Sequence, residues 1–259
     1  MRILLIVTIC CLASTALRAN GLSDTNCPTN TVGFYDSTFS AQSSACANGI
    51  LNFSFDPVNG FQSFGNGVGI LLTADQIDLS PVGSRGQLGT TGFDITGLNN
   101  SPITAVAGQD ATYVIDWLFV IDAGPIASGA DLGMDPPFGD VTITQYYCVD
   151  SLFTNPVYQG VAPTCGTSIN GGTPQVQTLQ VVNNVNPDLN KLQDSILFNP
   201  PATDLADVMT VIHLTGDSGF DTTIGTSQIS PPAPEPGTLL LIPGGVVLLG
   251  FLRKRRTRF

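Results

Sequence analysis

The clearest pattern in the sequence is a strict alternation along residues 111–122. Side chains that alternate with period two lie on opposite faces of a β-strand. One face here is wholly apolar, and we predict that it packs against a core. The other face mixes polar and apolar residues, which indicates a central strand. The apolar face consists of Ala111, Tyr113, Ile115, Trp117, Phe119 and Ile121.

Shorter runs rich in β-branched and aromatic residues predict further strands. They cover 51–55, 68–73, 141–149, 176–182 and 208–214, with a weaker candidate at 86–95. Clusters of Gly, Pro, Asn and Asp predict the turns between them, at 57–60, 97–102, 124–139, 170–174 and 199–203. No segment of more than ten residues shows a convincing helical period. We therefore predict an all-β fold, an antiparallel β-sandwich over 20–229, with a jelly-roll arrangement as one possible form.

The N-terminus has the pattern of a secretory signal peptide. One early arginine precedes an apolar run at 3–13, and small residues follow it. We assign residues 1–19 to this peptide, with cleavage best after Ala16 and less well after Ala19. Cysteines in the apolar run leave a lipoprotein alternative open, although the residues before them are not small.

The C-terminus has three parts in a fixed order: a Pro-rich linker at 230–237, an apolar segment at 238–252 and a basic tail at 253–259. As a helix, the apolar segment would span about 22 Å, against roughly 30 Å of hydrocarbon. The basic tail would stay in the cytoplasm and the folded part outside. A short span interrupted by Pro-Gly-Gly indicates a transient sorting helix, with an ordinary single-pass anchor as the alternative.

This order and position resemble the PEP-CTERM sorting signal. The matching residues are Pro234, Glu235, Pro236, the segment 238–252, and Arg253, Lys254, Arg255 and Arg256. The resemblance implies processing by an exosortase, a membrane enzyme similar to cysteine transpeptidases, in bacteria that make exopolysaccharide. More loosely, residues 46–53 resemble the start of β-sandwich ectodomains on many such proteins, whose role is uncharacterised.

Composition changes the picture of the part between the two ends. Residues 20–229 hold two basic residues, Arg85 and Lys191, against nineteen aspartates and no glutamate, a net charge of −17. The whole-chain value of −11 understates this acidity. Such a surface repels phosphate backbones, so nucleic acid is excluded as a partner.

Four cysteines remain after signal removal: Cys27, Cys46, Cys148 and Cys165. An even number in an exported chain favours disulfides, and three pairings are possible. We favour Cys27–Cys46 and Cys148–Cys165, because each closes a short loop beside a strand. A zinc site is disfavoured, since no Cys-x-x-Cys spacing occurs and the chain has one histidine.

The aspartates are candidates for chemistry, although so many on one chain mostly predict a solvated acidic surface. Paired carboxylates would suit a hydrolase, with Asp116 and Asp122 on one strand and Asp131 and Asp135 in the next loop. Loop carboxylates suit calcium better. The weak calcium candidates are Asp131 and Asp135, together with the pairs Asp75/Asp78 and Asp204/Asp207.

Other residue types with useful chemistry have structural interpretations. His213 is predicted to be partly buried or on an edge strand, and no Gly-x-Ser-x-Gly elbow accompanies it. Trp117 is predicted to lie in the core. Phe138, Tyr146 and Tyr147 are the aromatic residues left as candidates for exposure.

These observations favour a non-enzymatic protein of the cell surface or exopolysaccharide matrix. Its expected partners are the Sec machinery, signal peptidase, an exosortase-type enzyme and an exopolysaccharide, and it would be anchored transiently in the inner membrane before reaching the envelope. The alternative is a carbohydrate-binding module, calcium-assisted in one form, and a hydrolase is a remote third.

Overall fold

The computed structural model describes residues 23–40, 44–49, 51–55, 60–67, 70–83, 91–101, 103–121, 127–134, 137–168, 174–184, 186–220 and 224–230. The predicted signal peptide, sorting motif, apolar segment and basic tail lie outside these ranges, as does Asp135. Within them, no helix is long and apolar enough to cross a membrane.

The described chain is mostly strand. In chain order the elements are β1 (Asn30–Thr31), helix α1 (Val32–Thr38), β2 (Cys46–Asn48), β3 (Leu51–Phe55), β4 (Phe61–Asn66), β5 (Ile77–Val82), β6 (Thr91–Gly97), β7 (Thr104–Ala105), β8 (Asp110–Ile121), β9 (Ala127–Gly133), β10 (Pro137–Val149), β11 (Gln177–Asn183), β12 (Gln193–Ala202), β13 (Leu205–Phe220) and β14 (Ile224–Ser230). Short 3-10 turns occupy Ala74–Gln76, Leu98–Asn100 and Pro187–Leu189.

The strands form two sheets. Sheet A has the order β11-β10-β13-β8-β3-β2, with β4 also paired to β8 and β7 to β13. Sheet B has the order β1-β5-β6-β14-β9-β12. All pairings between these strands are antiparallel. The prediction of an all-β antiparallel sandwich is therefore confirmed.

The core lies between the sheets. The apolar face predicted for β8 is buried along its whole length, and β8 pairs with β13 on one side and with β3 and β4 on the other. Helix α1 adds Tyr35, whose ring lies 4.8 Å from that of Phe55 and 5.5 Å from that of Phe93. Aromatic contacts of this kind stabilise a core beyond the area that they bury.

A buried polar network crosses this core. Gln145 on β10 is fully buried; its amide donates to the Thr210 hydroxyl at 2.9 Å, and its carbonyl accepts from the Tyr147 hydroxyl at 2.8 Å. The Trp117 indole N–H donates to the same threonine at 3.4 Å. Because each side chain has a partner, the network avoids the cost of burying unpaired polar groups.

Asp194 on β12 connects the two sheets at one edge of the sandwich. Its carboxylate pairs with Lys191 at 2.7 Å and accepts the Gln180 amide of β11 at 2.8 Å. Desolvation alone would raise the pKa of Asp194, but the hydrogen bonds and charge of Lys191 and the backbone amides hold it below its usual value. The contact links sheet B to sheet A.

The strand predicted at 68–73 is wrong over its described residues, 70–73. Residues 70–73 form no strand, and Ile70 is 94% exposed. The chain crosses here from β4 in sheet A to β5 in sheet B, so no neighbouring strand lies alongside it. The Leu72 amide instead donates to the Tyr113 hydroxyl at 3.3 Å, and Leu71 and Leu72 pack against the rim of the core.

Two predicted turn regions contain strands. The region 124–139 includes β9, and 199–203 includes the end of β12. Strand β9 is held by ladders to β14 and β12 on its two sides, which override its poor intrinsic preference for strand. Its small residues serve this packing, because a Cβ on Gly129 would collide with the Ile196 carbonyl oxygen of β12.

Candidate functional site

The interior of the sandwich is not where we place the site. A small cavity between the sheets is lined by apolar side chains alone, namely Phe55, Leu79, Phe93, Ile95, Ile115 and Trp117. Binding sites need a few placed polar groups to orient a ligand. The outer face of sheet A is where polar and aromatic side chains come together.

Half of that face is covered by residues 150–168, which we call the disulfide loop. Cys148–Cys165 closes it, with Cα atoms 5.5 Å apart. The loop folds back on itself, with the Thr154 amide donating to the Thr164 carbonyl at 2.9 Å. Two side chains of the sheet hold it down: the Asp207 carboxylate accepts the Phe153 amide at 2.7 Å, and the Gln62 amide group donates to the Pro156 carbonyl at 3.1 Å.

Under the loop lies a second apolar core, separate from the one between the sheets. It consists of Val114, Cys148, Phe153, Cys165, Met209 and Val211, with Tyr146, Tyr158 and Val176 packed against it. Burial, and then the neighbouring Tyr158, raise the pKa of Tyr146. The loop still exposes Leu152, Val157 and Val161 to solvent.

Removing the Cys148–Cys165 disulfide should destabilise the domain by about 3 kcal/mol, because it releases a constraint on a loop of 17 residues. The measurement is chemical unfolding of the double variant Cys148→Ala/Cys165→Ala. The matched control is Cys27→Ala/Cys46→Ala, a loop of 19 residues, which should cost a similar amount. We expect only the first pair to change the exposure of Tyr146 and Tyr158, and equal changes in both would contradict this.

The start of the loop is fixed by Asp150, which is buried and has a positive φ of 53°. One carboxylate oxygen accepts the amides of Thr203, Asp204 and Leu205 at 2.9, 3.0 and 3.4 Å. The other accepts the Thr203 hydroxyl at 2.8 Å. This carboxylate therefore joins the end of β10 to the turn between β12 and β13.

The uncovered half of the face carries two cross-strand rows, which together we call the outer strip. The first row is Phe64, Thr112, His213 and Thr142, and the second is Asn66, Asp110, Thr215 and Asp140, on strands β4, β8, β13 and β10. Residues directly opposite one another share a face, so all eight side chains belong to one surface. Within this surface the second row lies two residues along each strand from the first.

His213 is the centre of the outer strip. Its Nδ1 lies 3.0 Å from the Thr112 hydroxyl and 3.5 Å from an Asp110 carboxylate oxygen, and its Nε2 lies 3.2 Å from the Thr215 hydroxyl. The prediction of a partly buried histidine is correct, with 44% of the side chain exposed. An edge position is wrong, because β13 lies between β10 and β8.

Phe64 is the feature of the strip that sequence reasoning missed. It is 42% exposed, and among the aromatic side chains that the structure describes it is the only one in the exposed class. Apolar and polar residues alternate over too few positions around Phe64 to predict a strand, and the next two residues are glycine and asparagine. The signal that could have found it is the phenylalanine pair of Phe61 and Phe64, which period two places on opposite faces.

The other predicted residues are placed as follows. Both favoured disulfides, Cys27–Cys46 and Cys148–Cys165, are present. Trp117 is in the core, as predicted, at 3% exposure. Tyr146 is half-buried, but the expectation of exposure is wrong for Tyr147, which is fully buried because its hydroxyl bonds inward to Gln145.

The described members of the candidate carboxylate pairs are placed as follows, with Asp122 and Asp135 outside the described residues. Asp131 lies on β9 opposite Ser195, where a loop position was expected. The Asp78 carboxylate accepts the Asn99 amide at 2.8 Å, and that of Asp207 is bonded to Phe153. Asp116 lies on the outer face of β8, as predicted, opposite Met209, but it is buried there at 3% exposure. Within the described part of the chain, no three His, Cys, Asp or Glu side chains group as metal ligands would.

No protein-family model matches the sequence, and no match to a curated protein was found. Among solved structures, the chain is similar to a family 11 carbohydrate-binding module from Clostridium thermocellum, in complex with a β-1,3-1,4-mixed-linked tetrasaccharide. That pair has 9% identity and a TM-score of 0.27 over 67% of this chain and 89% of the module. The enzymatically active domain of tailspike protein 4 from bacteriophage CBA120 has 12% identity and a TM-score of 0.22, over 76% of this chain and 21% of that one. Such scores transfer neither ligand nor activity.

Proposed function

We propose that this chain is an exported protein of the bacterial cell surface or exopolysaccharide matrix, processed through its C-terminal tail. The observation that carries the proposal is the order of that tail: Pro234-Glu235-Pro236, the apolar segment 238–252, then four basic residues at 253–256. The order resembles the PEP-CTERM signal. The signal peptide at 1–19 would direct the chain to the Sec machinery, and signal peptidase would then remove it.

The folded part is compatible with this route. Its two disulfides indicate an oxidising compartment, because such bonds are rare where thioredoxin and glutathione keep thiols reduced. The apolar segment would hold the domain at the outer side of the inner membrane until an exosortase-type enzyme acts on the tail. The protein then reaches the envelope or the extracellular matrix.

The sandwich acts by binding rather than by catalysis in this proposal. A general base works within reach of a substrate that a concave pocket holds in place. His213 lies instead on the outer strip with 44% of its side chain exposed, where water competes for its hydrogen bonds. The carboxylates of Asp150 and Asp207 are engaged with backbone amides and have structural roles.

Intact-mass spectrometry of the mature protein from its native host tests the sorting proposal. We expect an N-terminus near residue 17 or 20 and a C-terminal mass that ends near Pro236, because the exosortase reaction removes the segment beyond the motif. Reduction of the sample should increase the measured mass by four hydrogens, two for each disulfide. A mass that extends to Phe259 would contradict processing and favour a lasting anchor.

Carbohydrate binding by the sandwich is a second candidate function. The observation that favours it is the outer strip, where one exposed aromatic ring lies among hydroxyl, carboxylate and imidazole groups. A protein of the exopolysaccharide matrix would use such a surface to bind its polysaccharide partner.

A further inference from the structure

We propose that the outer strip binds the chain of a neutral polysaccharide, with Phe64 as the ring on which a sugar unit stacks. The inference rests on the second candidate function and names its site and ligand class. Four properties of the strip support it: the exposed ring, the polar groups beside it, the disulfide loop along one side and the sign of its charge.

The exposed ring is held on a rigid element. Phe64 lies on β4, which pairs with β8 through six consecutive residues. Most aromatic side chains of the described chain pack into one of the two cores, whereas Phe64 stays 42% exposed beside a polar row. An aromatic face binds the C–H side of a pyranose ring by stacking, and fixing it on a strand lowers the entropy cost of binding.

The polar groups suit a polyhydroxylated ligand. Thr112, His213 and Thr142 follow Phe64 across the row, and Asp110 and Thr215 lie in the next row. Hydroxyl and imidazole groups both donate and accept hydrogen bonds, and a carboxylate accepts from a pair of neighbouring hydroxyls. Four adjacent strands span about 14 Å, which accommodates a short run of sugar units across the strands.

One side of the strip is bounded by the disulfide loop. Gln62 lies two residues before Phe64 on the same face of β4, and its side chain holds the loop through the Pro156 carbonyl at 3.1 Å. The loop therefore stands directly beside the first row. A strip bounded along one side by this loop suits an extended chain that lies beside the loop.

Charge selects a neutral chain over an acidic one. The outer strip has two carboxylates, Asp110 and Asp140, and no lysine or arginine. Lys191, the one lysine or arginine among the described residues, is paired with Asp194 at 2.7 Å. An acidic polysaccharide would meet repulsion here and in the surrounding field of the domain.

Affinity electrophoresis of the mature protein from its native host tests the site. Gels would contain hydroxyethyl cellulose, a galactomannan or polygalacturonate, the first two neutral and the third acidic. We expect retardation by at least one neutral polymer and none by polygalacturonate. Phe64→Ala should weaken that binding about tenfold, which corresponds to about 1.4 kcal/mol, and Phe64→Trp should retain it.

The matched control is Leu197→Ala, which removes an 80% exposed side chain from sheet B and should leave retardation unchanged. Far-UV circular dichroism checks that each variant is folded, because Phe64→Trp adds a second indole whose fluorescence would mask that of Trp117. Failure of both neutral polymers, binding to polygalacturonate, full binding by Phe64→Ala or loss of binding in EDTA would each overturn the proposal. The mass of the tail is independent, so a processed protein without glycan binding removes this inference and leaves the sorting proposal in place.

Discussion

Replacing Trp117 with alanine is expected to lower the free energy of unfolding by about 3–5 kcal/mol. The indole is 3% exposed and stacks on Phe53 at 5.4 Å, with Phe93 edge-on at 5.8 Å. It also lines the apolar cavity between the sheets. Truncation would therefore enlarge an existing void that two stiff sheets cannot close, and the Thr210 hydroxyl would lose one of its two partners.

Urea unfolding followed by far-UV circular dichroism is the suitable measurement, since this variant lacks the chain's one tryptophan. Trp117→Phe is the matched control. It retains an aromatic ring between the sheets and loses mainly volume and the N–H donor, so about 1–2 kcal/mol should be lost. A loss below 1 kcal/mol for the alanine variant would show that the aromatic cluster does not stabilise the sandwich as its geometry indicates.

Replacing Asp150 with alanine should cost about 4 kcal/mol. The change removes the carboxylate that the amides of Thr203, Asp204 and Leu205 share, and a hydrogen bond to a charged group contributes about 1.5–3 kcal/mol. Alanine also tolerates the positive φ of this position poorly. We expect lower stability and faster proteolysis of the disulfide loop, measured by urea unfolding and limited proteolysis together.

Asp150→Asn is the control that separates these causes. Asparagine tolerates positive φ and keeps one carbonyl acceptor for the amides, so it should lose about half as much stability. Equal losses for both variants would mean that the negative charge, rather than the hydrogen-bond geometry, holds the turn. A proteolysis pattern unchanged in the alanine variant would contradict the role of Asp150 in fixing the loop.

Much of the fold could be predicted because long strands carry a strong signal. Strand β8 has twelve residues with one apolar face, and β10 and β13 are rich in β-branched residues. Strands β9 and β12 could not be predicted, because ladder pairing rather than side-chain preference holds them. Residues 70–73 are the reverse case, because these apolar residues lie in a crossover between the sheets and form no strand.

The candidate site was less predictable than the fold. The cysteine pairs could be predicted, since short loops beside strands bring their Cα atoms close. The outer strip depends on which strands are neighbours. The register places Phe64 opposite Thr112 and Thr112 opposite His213, and the sequence of a single segment cannot predict it. Tyr147 was misjudged for a related reason, because its partner Gln145 is a polar residue that the core accepts.

The position of β14 has a consequence for the order of events during the export that we propose. This strand, the last one described, lies between β6 and β9 and pairs with both. A chain that crosses the membrane from its N-terminus delivers β6 and β9 first, and sheet B stays divided, with two unpaired strand edges, until residues 224–230 emerge. These residues immediately precede the Pro-rich linker. In the route that we propose, completion of the sandwich and arrival of the C-terminal tail would therefore be nearly simultaneous, and a prematurely terminated chain would present open edges to envelope proteases instead of a finished domain.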